Sequence, residues 1–137
     1  MNIEESLARF GLTPTNEVLP EIRSLLDREA EAERLGQPRE EDFALLCCVQ
    51  LFSRGLVEDI LRIWSAKSSG FDLGCYLDVQ LLCGAGLAQT KAFLKSRPEM
   101  EAAEALHYIE SCEASRDFDG FTPEVYLESY REYFGVK

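Results

Sequence analysis

The chain has one histidine, His107, and that restricts its chemistry more than any other feature. A zinc site built on imidazoles needs two or three of them, and a serine or cysteine nucleophile needs one nearby as its base. Cys112 follows His107 by five positions, which on a helix sets the two side chains about 140° apart. The five cysteines, Cys47, Cys48, Cys75, Cys83 and Cys112, are odd in number, include an adjacent pair and show no CxxC spacing. They read as small buried residues of a reducing compartment. Glu58-Asp59 and Asp78 are the carboxylates of most interest: a buried pair would bind a metal or act as acid and base. The plainer reading puts Glu58 and Asp59 at a helix N-terminus and Asp78 on an outer face. Asp117-x-Asp119-Gly120 lacks the further ligands of a calcium loop. The sequence has no phosphate loop, no GxSxG and no basic patch with interleaved aromatics. It therefore predicts no catalytic set, no metal site and no cofactor.

Binding is the chemistry that remains. Tyr126, Tyr130, Tyr133 and Phe134 fall at i, i+4, i+7 and i+8, one amphipathic stripe that either caps the core or meets a partner. Trp64 ends an apolar helix and is followed by the loop from Lys67 to Phe71, a place where binding residues tend to be carried. The candidate binding residues are thus Trp64, Phe71, Glu58, Asp78, Tyr126, Tyr130 and Tyr133. Gln50 and Gln80, polar residues inside apolar runs, are expected to hydrogen-bond the backbone of neighbouring turns.

These residues must be positioned by helices. Val49-Gln50-Leu51-Phe52 leads to Arg54-Gly55-Leu56, and Val79-Gln80-Leu81-Leu82 leads to Ala85-Gly86-Leu87. An apolar run, a glycine break and a second run recur at an interval of 30 to 31 residues. Such a period marks stacked helix pairs. Helices are predicted over 2–10, from Val18 to Leu35 with Pro20 in the first turn, and over Phe43–Phe52, apolar on most sides. Others follow from Leu56 to Trp64, Leu73 to Cys83 with Asp72 as N-cap, Leu87 to Leu94 and Glu99 to about Arg116. The last starts at Thr122-Pro123 and reaches Phe134. Thr15 or Asn16 is a candidate cap for the second helix, whose later half, Asp27 to Arg34, reads as a solvated face. No alternation of period two occurs. The fold class is all-α, about eight helices, with stacked antiparallel helix pairs as a short solenoid or an irregular bundle.

Over about residues 43–95 the pattern resembles ankyrin-type repeats. Gly55-Leu56-Val57-Glu58 before Ile60-Leu61 is similar to the Gly-x-x-Glu start of the second ankyrin helix, and Gly86-Leu87-Ala88-Gln89 repeats it with Gln for Glu. No Thr-Pro-Leu-His element opens either first helix. The resemblance implies a helix-pair stack and a protein-binding surface.

At 137 residues the chain fits one domain, 1–137, with a central helix-pair core at about 39–96 and acidic flanking helices at 2–36 and 99–134. Residues 1–40 carry nine acidic and five basic side chains, 41–95 six and five, and 96–137 ten and four, for a net charge of -11. A field of that sign repels nucleic acid and anionic lipid and speeds association with basic proteins. No apolar run reaches the roughly 20 residues of a membrane span, and the acidic start Met-Asn-Ile-Glu-Glu is unlike a secretory signal. The expectation is a cytoplasmic protein–protein interaction module for a basic partner, as adaptor, regulatory subunit or immunity-type inhibitor. The alternatives are a small-molecule binder or enzyme with a groove between the helix pairs, and a structural or oligomerisation domain.

Overall fold

A computed structural model describes residues 1–136 of the chain. Among them are eight α-helices: α1 (Ile3–Phe10), α2 (Leu19–Arg34), α3 (Phe43–Arg54), α4 (Ile60–Lys67), α5 (Phe71–Tyr76), α6 (Leu87–Lys95), α7 (Met100–Ala114) and α8 (Pro123–Phe134). Three 3-10 turns, Asn16–Val18, Val57–Asp59 and Val79–Cys83, complete the regular structure, and the described residues form no strand. The all-α fold class expected from the sequence is the one observed.

Why these segments are helical is mostly local. Asn2 opens α1 by accepting the Glu5 N–H at 2.8 Å, and Thr122 opens α8 by accepting that of Val125 at 3.1 Å, with Pro123 in the first turn. Pro20 sits in the first turn of α2, as its missing N–H requires. Neither Thr15 nor Asn16 makes a side-chain cap there; Asn16 begins a 3-10 turn that leads into α2.

Residues 43 to 52 of α3 are all buried, which makes α3 the centre of the molecule. Its most extensive neighbour is α2, which supplies Leu19, Ile22, Leu26 and Ala30; α8 covers another side. α7 adds Ala102, Ala105 and Ile109 to the same core. Each large aliphatic side chain so buried is worth roughly 1.5 to 3 kcal/mol.

Three further expectations are corrected. Leu73 to Cys83 is not one helix: α5 ends at Tyr76, Leu77 and Asp78 are extended, and Val79–Cys83 is a 3-10 turn. The cause is Lys67, whose ammonium donates to the carbonyls of Gly74, at 2.7 Å, and of Leu77, the groups a continuing helix would offer to Asp78 and Leu81. Nor is Asp72 the N-cap of this segment. Gly70 holds that position, and the Leu73 N–H is taken at 2.9 Å by Glu33 reaching across from α2. Glu33 is consequently not on a solvated face. With Glu29 it grips Arg39, at 3.1 and 3.4 Å, in a nearly buried ion network, so the later half of α2 has one wet side and one packed side.

The first glycine break, Gly55, meets Gly84, two residues before the second break at Gly86. Gly55 ends α3 at φ 63°, and a Cβ there would lie 2.8 Å from the Gly84 carbonyl oxygen. At Gly84 a Cβ would lie 2.5 Å from that of Phe52. Backbone touches backbone at this point, so only glycine fits on either side. Gln50 donates to the Gly11 carbonyl at 2.8 Å and Gln80 to that of Asp117 at 2.8 Å. Both glutamines tie a turn to the core, as expected.

Candidate functional site

α5 is six residues long, too short to be stable by itself. It is held from beneath at both ends: Glu33 binds its N-terminal Leu73 N–H, and the buried Lys67, 8% exposed, binds its C-terminal carbonyls. A carboxylate at the positive end of the helix and an ammonium at the negative end match its dipole. Burial pulls the Lys67 pKa below its ordinary value, and the nearby Asp78 carboxylate opposes that shift. The Tyr108 ring lies 5.5 Å under the ammonium.

The outer side of α5 is free of these duties. Phe71 is 84% exposed and Tyr76 about half exposed. Tyr76 lines a cavity of about 260 Å³ together with Arg39, Glu41, Asp42, Asp72 and Leu73 among others. Arg39 spends its charge on Glu29 and Glu33, so the rim of Glu41, Asp42 and Asp72 stays electronegative. Tyr76 donates to Glu41 at 2.9 Å and Tyr133 donates to Asp42; both phenols are pushed up first by those hydrogen bonds, Tyr133 to about 12. Asp42 takes φ 68°, a left-handed conformation uncommon for a residue with a Cβ.

The tyrosine stripe of α8 divides along its length. Tyr126 and Tyr130 lie inward, their hydroxyls at 2.7 and 3.3 Å from the same Asp78 oxygen, and Phe52, Phe121, Tyr126 and Tyr130 form a chain of edge-to-face rings. Burial raises both phenols, Tyr130 to about 12 and Tyr126 further. Tyr133, 59% exposed, is the member that reaches the surface, where it joins the cavity rim through Asp42.

The candidate binding residues therefore separate into places. Asp78, Tyr126 and Tyr130 form one hydrogen-bonded group, and Phe71 and Tyr133 belong to the α5 face. Trp64 sits apart in a cleft of about 320 Å³ with Leu61, Glu101 and Glu104, its ring 5.6 Å from Tyr108. Glu58 is exposed and reaches only Arg23, at 4.0 Å, while its neighbour Asp59 is buried in a two-point bond with that arginine at 2.7 and 3.0 Å. Glu58 and Asp78 have different partners and form no pair. Among the described residues no group of three or more His, Cys, Asp and Glu could hold a metal ion, and no helix is long and apolar enough to cross a membrane.

Sequence reasoning missed Glu41, Asp42 and Tyr76 as members of this face. The acidic run before α3 was a visible signal; nothing local distinguished Tyr76. Comparisons of the chain with models of protein families, with curated proteins and with solved structures return no match.

Proposed function

We propose that the chain is a protein-binding module for a basic partner, acting as an adaptor, regulatory subunit or immunity-type inhibitor, and that the partner docks on the α5 face. The observation that carries this reading is Phe71. A large aromatic side chain, 84% exposed, stands on a short helix whose two ends are fixed by buried charged groups. The backbone that carries this anchor is held before binding, so little backbone entropy remains to be lost when the ring enters a partner's pocket. A cavity of about 260 Å³ lies further along the same helix, where Glu41, Asp42 and Asp72 present negative charge and Tyr76 and, through Asp42, Tyr133 supply amphipathic contact area. Lysine or arginine side chains complement such a rim, and the net charge of -11 steers a basic protein toward it. All five thiols are free and four of them buried, which supports a reducing compartment such as the cytoplasm.

The test is parallel capture from source lysate on immobilised wild type and on the Phe71→Ala, Asp72→Asn double variant, with the retained species identified by mass. The expected result is a basic protein retained at stoichiometry by the wild type and depleted at least about fivefold on the variant, the loss of roughly 1 kcal/mol that defines a contributing interface residue. Equal retention on both columns would refute the assignment of the face.

A further inference from the structure

The second large depression of the surface lies away from the α5 face, where the end of α2, the outer side of α4 and the first turns of α7 meet. Arg34, Leu61, Trp64, Ser65, Glu101 and Glu104 line a cleft of about 320 Å³, the lower end of the size range of ligand sites. Its floor is apolar: Leu61 and Trp64 are partly buried against the core, and the indole is steadied by the Tyr108 ring at 5.6 Å. Its rim is not neutral. The one cation there, Arg34, is committed to Glu31 at 3.2 Å and to the Ser65 hydroxyl at 2.8 Å. Arg97 at the start of this helix pairs with Glu99, and among the described residues no lysine or arginine forms an ion pair with Glu101 or Glu104. Beside this rim two large apolar side chains face solvent, Met100 just before Glu101 and Leu35 just after Arg34.

The geometry points to a second docking groove, which takes a lysine- or arginine-bearing segment of a partner protein. The aliphatic stem of that side chain lies over Leu61 and the face of Trp64, and its cationic head lies between Glu101 and Glu104. An indole face attracts a cation through its quadrupole, and long basic side chains cover apolar surface with their methylenes while the charged tip finds carboxylates. Met100 and Leu35 meet the apolar neighbours of the basic residue. The groove shares no lining residue with the α5 cavity, so it stands independently of the reading of that face.

Trp64 is the only tryptophan of the chain, so its emission reports on this groove alone. Titration of the intact protein with hexalysine and with hexa-arginine, hexaglutamate serving as control, is expected to change Trp64 emission saturably for the cationic peptides only. The Glu101→Gln, Glu104→Gln variant should raise the dissociation constant at least tenfold. The Glu4→Gln, Glu5→Gln variant, which removes the same charge from α1, should leave it within a factor of two, with circular dichroism confirming that both remain folded. Unchanged emission, or equal weakening in the two variants, overturns the groove. Peptide binding seen by calorimetry that is lost in the Phe71→Ala, Asp72→Asn variant but unaffected by Glu101→Gln, Glu104→Gln also overturns it, and leaves the α5 face standing.

Discussion

At the scale of single residues, the ionisable groups that matter most are those the fold has taken out of water in company. Asp59 stands at the start of α4, as its sequence position beside Glu58 predicts, and is also the buried partner of Arg23, whose pKa it raises chiefly through their hydrogen bond. Asp59→Ala leaves that guanidinium half buried with only Glu58 at 4.0 Å, and is expected to cost about 2 to 3 kcal/mol in urea unfolding. Glu58→Ala, at an exposed position, should change stability by no more than about 0.5 kcal/mol. Tyr130 makes a prediction about pH. Its folded pKa is raised from 10 to about 12, so the folded state holds the phenolic proton after the unfolded chain has lost it. Its contribution is complete below pH 10 and is lost as pH rises from there through about 12. Denaturant midpoints followed upward from neutral pH should fall in that window, and the fall should shrink in Tyr130→Phe.

Helices and turns were legible in the sequence to different degrees, and the difference has a physical cause. α8 and α3 could be read directly, because Thr122-Pro123 is a local start signal and ten consecutive buried positions leave no ambiguity about where α3 lies. α5 could not. Its end is imposed by Lys67 and its start by Glu33, side chains of other helices, and long-range hydrogen bonds of this kind leave no mark in local periodicity. For the same reason the two similar phrases at Val49 and Val79 became different structures, an α-helix and a 3-10 turn. What they do share is the pair of glutamines tying turns, and they touch where Gly55 meets Gly84. Gly84→Ala would force a Cβ to 2.5 Å from a backbone oxygen that no rotamer change can move. It is expected to destabilise by about 2 kcal/mol or more, measured by thermal unfolding, whereas Gly36→Ala, with open space around it but φ 67°, should cost less.

For the molecule as a whole, the sign of the charge is legible in the sequence, and with it the expectation of a basic partner, but not the face. Phe71 and Tyr133 are candidates on separate grounds in the sequence, and what brings Tyr133 to the cavity beside α5 is Asp42 receiving the hydroxyl of a tyrosine 91 positions later. The charge is spread over the chain while the most exposed aromatic, Phe71, is in one place, so steering and anchoring are separable. Raising the ionic strength past the point where the Debye length falls to about 3 Å should slow association without changing which residues are covered. Amide hydrogen exchange of the protein, free and bound to the partner retained by capture, tests the central claim most directly. Docking on the α5 face predicts slowed exchange across Phe71–Tyr76 and at the start of α3, with α1 unchanged. Protection confined to other helices, with the α5 amides exchanging as in the free protein, would contradict it.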